Sequence, residues 1–166
     1  VGSDWQMQVK RLPNMQAKIG WLVEQTERLT GLDHFGVYLT ALFEADMLFG
    51  NEDRHLNNIA VLRRGEVFDY CPMFDFGAGL LSNVRDYPMD VEPKVLLSQL
   101  RAQPMNAQFV RQVHAAQANY GAQIRYDSSR EDIVNALAEP LAFYAERDRS
   151  YISDRVMFCI QTQYRK

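Results

Sequence analysis

The stretch from Gly50 to Gly77 reads GNEDRHLNNIAVLRRGEVFDYCPMFDFG, and it is the part of the sequence that decides the fold. A polar segment without a regular apolar period opens it. Two short apolar runs of strand type follow at residues 59–62 and 67–70, and Arg64-Gly65-Glu66 between them is a turn signal. This pattern predicts one antiparallel hairpin, with a polar motif directly before it and another directly after it.

The two polar motifs are Asp53-Arg54-His55-Leu56-Asn57-Asn58 and Asp75-Phe76-Gly77. Because a hairpin returns its two ends to the same place, we expect Asp53, Asn58 and Asp75 to converge. Carboxylate and amide oxygens are hard ligands that suit Mg²⁺, which usually takes one or two carboxylates, several waters and substrate phosphates. The set therefore predicts a site for phosphoryl transfer.

Helical patterns flank this stretch on both sides. An apolar face from Ile19 to Leu29 predicts a helix that starts near Asn14 and stops at Gly31. Asp33 is a plausible N-cap for a second helix, which Gly50 should terminate. Before the hairpin, the first apolar face is formed by Ile19, Leu22, Val23, Thr26 and Leu29, and the second by Phe35, Leu39, Leu42, Phe43 and Met47. After the hairpin, one expected helix has the face Met105, Phe109, Val110, Val113 and Ala116, and the last has Ile152, Val156, Cys159, Ile160 and Gln163.

Four smaller signals complete the pattern. Ser128 with Glu131 predicts a capping box that opens a helix, and Pro140 should break or kink that helix. Gly77 and Gly79 should let the chain bend sharply after the DFG triplet. The expected architecture is one mainly α domain over residues 1–166, a helical bundle with a single β-hairpin, in which residues 1–13 carry no clear pattern and are interpreted as a ragged end.

Composition restricts the class of protein. Apolar residues make up 47% and charged residues 23%, as in ordinary globular domains, and the formal net charge is −3. No basic field favours nucleic acid or anionic lipid, no apolar run approaches the ~20 residues of a membrane helix, and the start does not resemble a signal peptide. Cys71 and Cys159 stand apart and are interpreted as reduced residues of a cytosolic protein.

The spacing within the polar motifs adds a family resemblance. Asp53 and Asn58 are separated by four residues, like the catalytic-loop Asp and the metal-binding Asn of protein kinases. Residues 50–58 together with Pro72-Met73-Phe74-Asp75 resemble the catalytic core of HipA-like serine/threonine kinases over roughly residues 33–82. The same elements are similar, more distantly, to those of phosphatidylinositol kinases. HipA-like proteins often lack Phe-Gly after the metal-binding Asp, which keeps the lipid-kinase relatives as an alternative.

The resemblance implies a kinase-like C-terminal lobe whose hairpin carries the catalytic and DFG loops. Asp53 would be the catalytic base, and Asn58 and Asp75 would bind Mg²⁺ and, through it, ATP. It further implies a bacterial, cytoplasmic protein kinase that acts on a Ser/Thr hydroxyl of a protein, with an antitoxin or a small-lobe polypeptide as partner. Such kinases are often the toxins of toxin–antitoxin pairs.

The part of a kinase that covers the nucleotide is missing from the pattern. No GxGxxG motif occurs, and the lysines are Lys10, Lys18, Lys94 and Lys166, so we expect the large lobe alone. Three interpretations follow: the catalytic half of an active kinase, a catalytically silent binding module with the same fold, and a metal-dependent hydrolase that uses the two aspartates. The acceptor is also open among a protein, a lipid and a small molecule.

Three neighbours of the predicted site have structural interpretations. Arg54 either pairs with a carboxylate that holds the loop or is surface charge. His55 is interpreted as a packed, hydrogen-bonded loop histidine rather than a catalytic acid, and Phe76 as a core residue. Taken singly, Asp53 and Asn58 are typical of turns, and only the ordered set of helix, DRHxxN, hairpin and DFG predicts the kinase-like site.

Overall fold

The computed structural model of the chain describes residues 2–164, with side chains described over residues 4–164. This part of the chain is mainly helical, with one two-stranded antiparallel sheet. Its elements are α1 (Gly2–Arg11), α2 (Met15–Thr30), α3 (Phe35–Phe49), a 3₁₀ turn (Leu56–Asn58), β1 (Val61–Arg64), β2 (Val67–Tyr70), α4 (Pro93–Gln99), α5 (Phe109–Tyr120), α6 (Arg130–Leu141) and α7 (Glu146–Tyr164). None of the helices so described is long and apolar enough to cross a membrane.

The first helix, α1, occupies residues that the sequence pattern left unassigned. Its Trp5 packs edge-on against Trp21 of α2, with ring centroids 5.3 Å apart. Val9 is buried. The expectation that residues 1–13 are only a ragged end is therefore wrong for residues 2–11, which pack against α2 and the 3₁₀ turn.

The second helix, α2, begins and ends as predicted. The Asn14 side chain accepts a hydrogen bond from the Ala17 backbone N–H at 2.8 Å, which satisfies one of the free donors of the first turn. Gly31 ends the helix in the left-handed region at φ 72°, and its N–H donates to the Glu27 carbonyl. Leu29, however, is 56% exposed and does not share the buried face.

The third helix, α3, has a different start from the one predicted. His34, not Asp33, takes the cap position, at φ 61° and without a side-chain cap bond. The Glu27 carboxylate of α2 accepts the Phe35 N–H at 2.8 Å instead. The Asp33 prediction is wrong because a neighbouring helix supplies the acceptor, whereas Gly50 ends α3 at φ 63° as expected.

The hairpin lies between α3 and α4. Val61 pairs with Tyr70 and Arg64 with Val67, so residues 65 and 66 form a two-residue connection in which Gly65 adopts φ 63°. The first strand begins at Val61, two residues later than the apolar run suggested. The hairpin therefore holds residue 58 and the segment after residue 70 at the same end of the sheet.

The helices enclose three apolar clusters. The largest lies between α2, α3 and α5, and a second joins α4 and α7 to the segment after the hairpin. A third lies between α6 and α7. The predicted stripe of the last helix is confirmed by the burial of Val156, Cys159, Ile160 and Gln163. The side of α3 that faces the hairpin is therefore anchored to a packed core.

The start of α6 is one residue away from its predicted position. The capping box is formed by Ser129 and Asp132, so the assignment to Ser128 and Glu131 is wrong. Hydrogen bonds from the side chain and backbone of Ser129 lower the pKa of the Asp132 carboxyl. Pro140 lies in the last turn of the helix, which ends at Leu141.

Candidate active site

The Asn58 side chain joins the two polar motifs. Its Nδ2 donates to Oδ2 of Asp75 at 2.7 Å and to the backbone carbonyl of Asp53 at 2.9 Å. The structure therefore brings Asn58 and Asp75 into direct contact, and it ties Asp53 to them through its main chain. The Asp53 carboxylate itself is exposed, and Nε2 of His55 lies 3.8 Å from its Oδ1.

Arg54 is the fixed point of this loop. Its side chain is fully buried, with Nε donating to Oδ2 of Asp46 at 2.9 Å and Nη2 donating to Oδ1 at 3.0 Å. Its Nη1 donates to the backbone carbonyls of Asn58 at 3.0 Å and of Phe74 at 2.7 Å. One guanidinium thus holds α3, the loop before the hairpin and the loop after it, and the surface-charge interpretation of Arg54 is wrong.

Asp46 is the functional neighbour that the sequence reasoning missed. Asn51, also fully buried, donates from Nδ2 to Oδ1 of Asp46 at 2.7 Å and to the Asp75 carbonyl at 3.2 Å. Burial raises the pKa of the Asp46 carboxyl, and the hydrogen bonds from Arg54 and Asn51 oppose that rise. The available signal was its position: Asp46 continues the apolar stripe of α3 three residues after Phe43, where a carboxylate must have a partner.

The backbone bends at Asp75 rather than at the glycines that follow it. Asp75 adopts φ 59°, and Leu80 and Leu81 adopt φ 58°, whereas Gly77 and Gly79 do not adopt a positive φ. The expected sharp bend at Gly77 and Gly79 is therefore displaced. Gly79 is still needed, because a Cβ there would lie 3.1 Å from the backbone oxygen atoms of Phe49 and Phe76.

A left-handed conformation is rare for a non-glycine residue, although aspartate adopts it more readily than most. Such conformations persist only where the surroundings hold them, and here the Asp75 carbonyl is held by Asn51 and its carboxylate by Asn58. The Asp75 side chain is exposed, and the hydrogen bond from Asn58 orients its carboxylate.

Phe76 is packed as the sequence predicted, whereas His55 is not hydrogen-bonded as predicted. The Phe76 ring packs edge-on against Phe49 with centroids 5.7 Å apart, and the Arg54 guanidinium lies 4.9 Å from its centroid, as expected of a packed residue. His55 is half-exposed, and its buried Nδ1 has no hydrogen-bond partner among the described residues. The interpretation of His55 as a hydrogen-bonded packing residue is therefore wrong.

The free oxygen atoms of Asn58 and Asp75 are suitable ligands for a metal ion that takes its other ligands from water and phosphate. Among the described residues, no group donates a hydrogen bond to Oδ1 of Asn58 or to Oδ1 of Asp75. One amide oxygen and one carboxylate oxygen are therefore available as metal ligands. Across residues 2–164, no group of three or more His, Cys, Asp or Glu side chains is arranged to hold a metal. Mg²⁺, which retains waters and takes its remaining ligands from phosphates, matches this donor set.

An apolar cavity adjoins the site. It has a volume of about 520 Å³, and residues on both sides of Asn58 line it, namely Leu56 and Asn57 before it and Ile59, Ala60 and Val61 after it. α1, α2, α3 and Phe68 of β2 supply most of the remaining wall, and no charged side chain lines it. The cavity therefore suits an uncharged, largely apolar group.

Comparison of the chain with family models, with curated proteins and with solved structures finds no match to any of them.

Proposed function

We propose that this chain is the catalytic half of an ATP- and Mg²⁺-dependent phosphotransferase of the HipA-like serine/threonine kinase type. The observation that carries the proposal is the Asn58 side chain, whose Nδ2 bridges the Asp53 carbonyl and the Asp75 carboxylate. The resemblance in residues 50–77 supports it independently of that geometry. The same resemblance suggests that the phosphoryl acceptor is a Ser/Thr hydroxyl of a protein. It also suggests an antitoxin or a small-lobe polypeptide as partner, and a bacterial cytoplasm as the location.

The assignment of the metal ligands follows from which atoms are already used. Both donated hydrogen bonds of Asn58 leave from Nδ2, so Oδ1 points to the other side of the amide. Oδ2 of Asp75 receives one of them, which leaves Oδ1 available. When bound, Mg²⁺ would neutralise charge on the transferred phosphate, and Asn58 and Asp75 would hold it there.

Asp53 suits the role of general base. Its carboxylate is 56% exposed, so an incoming hydroxyl can reach it, and its main chain is held by Asn58. A base must lie within hydrogen-bond reach of the proton that it accepts. Asp53 would orient the acceptor hydroxyl and take its proton. Asp75, on the other side of Asn58, would hold the Mg²⁺ that binds the phosphates.

The rigidity of the loops supports the same function. Phosphoryl transfer depends almost entirely on positioning and on charges arranged in advance. The Arg54–Asp46 pair is buried and fixes residues 58 and 74 through their carbonyls. The two loops that carry the proposed ligands are therefore attached to one another before any ligand arrives.

The adjoining cavity offers a place for the base of the nucleotide. Residues on both sides of Asn58 line it, and its uncharged lining suits a flat, neutral ring system such as adenine. A phosphate chain at Asn58 and Asp75 and a base in the cavity would together account for ATP as the ligand.

The same cavity also favours the second candidate, a binding module that lacks catalysis. In that case the apolar wall would receive a protein side chain or a small molecule, and the polar loops would have no metal-dependent ligand. The two candidates differ in one measurable respect, because only the phosphotransferase requires binding of a nucleotide that depends on Mg²⁺ and on Asp75.

Titration calorimetry of the full chain with ATP, with and without Mg²⁺, tests the proposal. We expect Asp75→Ala to weaken Mg²⁺-dependent binding about tenfold or more, a loss of about 1.4 kcal/mol, because it removes a metal ligand. Asp53→Ala should leave binding nearly unchanged, because Asp53 acts on the acceptor. Asp90→Ala, an exposed carboxylate in the loop before α4, is the matched control.

Each result has a defined meaning for the two candidates. Equal losses for Asp75→Ala and Asp53→Ala would show that the roles are assigned wrongly. Binding of ATP that is indifferent to Mg²⁺ and to Asp75, or no binding at all, would reject the phosphotransferase and favour the binding module.

A further inference from the structure

A second cavity is enclosed by α1, the start of the 3₁₀ turn and the loop before α5. It has a volume of about 380 Å³. His55 lines it, and Nε2 of His55 lies 3.8 Å from Oδ1 of Asp53. Asn58 and Asp75 are not among the described residues that line it. The cavity therefore lies within one side chain of the proposed base, on the side of the site that the metal ligands do not occupy.

Lys10 of α1 gives this cavity a positive charge. It is the one lysine or arginine among the described residues that line the cavity, and no aspartate or glutamate is among them. Lys10 is exposed and forms no ion pair with an acid of residues 4–164, so its ammonium group is accessible to a ligand. A chain whose formal net charge is −3 thus has a locally positive cavity next to its proposed base.

Three side-chain amides, those of Gln6, Gln103 and Asn106, line the cavity together with Lys10. Gln6 precedes Lys10 by four residues, so the two side chains project from the same face of α1. Each amide carries both a donor and an acceptor, which match the C=O and N–H groups of a peptide backbone. The lining therefore combines one positive charge with groups that can hydrogen-bond to a peptide.

One wall of the cavity, the loop before α5, is held in place by the core. Nε2 of the buried Gln112 donates to the Gln103 carbonyl at 2.7 Å, and its Oε1 accepts the Met105 N–H at 3.3 Å. Ala102 and Ala107, on either side of the loop, exchange backbone hydrogen bonds at 2.8 Å and 3.2 Å. Because these contacts order the wall before a ligand arrives, binding does not have to compensate for ordering it.

We propose that this cavity receives an acidic side chain of a peptide acceptor, whose Ser or Thr hydroxyl lies at Asp53; the inference rests on the function proposed above. The acidic side chain pairs with Lys10, and the peptide backbone hydrogen-bonds to the amides that line the cavity. A cube of 380 Å³ has an edge of about 7 Å, which two residues of extended chain span at ~3.3 Å each. The acid therefore lies about two residues from the hydroxyl that is phosphorylated.

The test measures peptide binding to the full chain by fluorescence anisotropy without ATP or Mg²⁺, so that it does not depend on phosphotransfer. The probe is a labelled Ala-Asp-Ala-Ser-Ala-Asp-Ala peptide, and its matched versions carry Asn or Lys in place of both Asp residues. We expect the Asp peptide to bind about fivefold more tightly than the Asn peptide, the upper end of the effect of an exposed ion pair, and the Lys peptide to bind most weakly. Equal affinities, or no binding of the Asp peptide, would overturn the proposal.

A charge exchange locates the acidic side chain. Lys10→Glu should reverse the preference, so that the Lys peptide binds more tightly than the Asp peptide. Lys94→Glu, at an exposed lysine of α4 outside the cavity, makes the same change in net charge and should keep the original preference. An unchanged preference in Lys10→Glu, or the same reversal in both variants, would contradict the proposal.

A second cycle locates the hydroxyl. Replacing the peptide Ser by Ala should weaken binding to the unaltered chain but not to Asp53→Ala, because the hydroxyl donates to the Asp53 carboxylate. Equal losses in both proteins would mean that the hydroxyl does not lie at Asp53, and the acceptor assignment would be rejected.

Two other occupants give different results. If Lys10 binds the phosphates of ATP, Lys10→Glu will weaken the Mg²⁺-dependent binding of ATP in calorimetry and leave the peptide preference unchanged, which would overturn the proposal. If the ligand is a small acid rather than a peptide, N-acetyl-aspartate will bind as tightly as the Asp peptide, with the same consequence. Failure of the phosphotransferase itself is recognised separately, by the absence of Mg²⁺-dependent binding of ATP to the unaltered chain.

Discussion

At the scale of single residues, Arg54 connects helix α3 to the loops on both sides of the hairpin. It is fully buried, it forms a two-pronged contact with Asp46, and it donates to two main-chain carbonyls from different loops. Buried ion pairs are costly to break, because the remaining charge is left without compensation. The role of Arg54 is thus to hold the loops that carry Asp53, Asn58 and Asp75.

Replacing Arg54 should therefore be far more damaging than replacing an exposed arginine. We expect Arg54→Met to reduce the free energy of unfolding by about 3–5 kcal/mol, because Asp46 is then buried without its partner. Arg63→Met, which removes an exposed contact with Glu66 at 3.2 Å, should change it by less than about 0.5 kcal/mol. Urea unfolding measures both. A cost for Arg54→Met no larger than that for Arg63→Met would contradict the assigned role.

A second prediction at the residue scale concerns Cys159 and the pH dependence of the free energy of unfolding. Burial raises the pKa of its thiol from 9.0 to about 11. The unfolded thiol therefore loses its proton at lower pH than the folded one, so its contribution is fully present below about pH 9 and is lost as the pH rises toward 11. Two pKa units correspond to at most about 3 kcal/mol.

The measurement compares the free energy of unfolding at pH 8 and pH 10.5. Cys159→Ala should start less stable, since it leaves a cavity, but should lose less stability across this pH range than the unaltered chain. Cys71→Ala, at the half-exposed second cysteine, is the control. Equal losses in all three proteins would show that Cys159 ionises alike in the folded and unfolded chains.

At the scale of elements, α3 and α5 pack closely at Gly36, where an added Cβ would force the Tyr120 ring to shift. A Cβ at Gly36 would lie 2.4 Å from two ring atoms of Tyr120 and 2.8 Å from its Cγ. Gly36 is the second residue of α3, and glycine loses more conformational freedom on folding than any other residue. Here the close approach of the two helices compensates, because it lets the Tyr120 ring lie against the backbone of α3, which carries Asp46 further along.

The pair can be tested by a double-mutant cycle. Gly36→Ala alone should destabilise the chain by about 1–3 kcal/mol, because the added methyl group displaces the Tyr120 ring. In a Tyr120→Ala background the same substitution should stabilise by up to about 1 kcal/mol, as an ordinary Gly→Ala change in a helix does. Thermal or urea unfolding of the four proteins gives the coupling. An additive result would mean that α3 and α5 do not meet at this position.

The sequence predicted those elements whose signals are local. The glycines at 31 and 50, the apolar stripes of α2, α3 and α7, and the hairpin turn at Gly65 all depend on residues within a few positions of one another. Asp33 failed as a cap because its rival acceptor, Glu27, lies on another helix. The capping box was displaced because adjacent serines, Ser128 and Ser129, are each followed three residues later by an acid.

The candidate site was predictable to a similar extent. The order of motifs around a hairpin was sufficient to expect Asn58 and Asp75 to meet. It was not sufficient for the Asp46–Arg54–Asn51 network, because nothing in spacing alone shows which carboxylate a buried arginine selects. The left-handed backbone of Asp75 was equally hidden, since it results from hydrogen bonds to Asn51 and Asn58 rather than from its own preference.

At the scale of the whole molecule, the mainly helical body acts as a platform for two loops. The three apolar clusters hold α3, α5 and α7 in place, and α3 ends directly before the polar motifs. One network of buried polar side chains then connects α3 to both ends of the hairpin.

The most direct test of the proposed phosphotransferase is to locate its metal. Mn²⁺ replaces Mg²⁺ at oxygen-ligand sites and is visible by anomalous scattering. In a crystal of the chain grown with Mn²⁺ and a non-hydrolysable ATP analogue, we predict an anomalous peak within about 2.0–2.3 Å of Oδ1 of Asn58 and of an Asp75 carboxylate oxygen, and bonded to a phosphate oxygen. A nucleotide bound without a peak at Asn58 and Asp75, or a peak confined to other residues, would contradict the account.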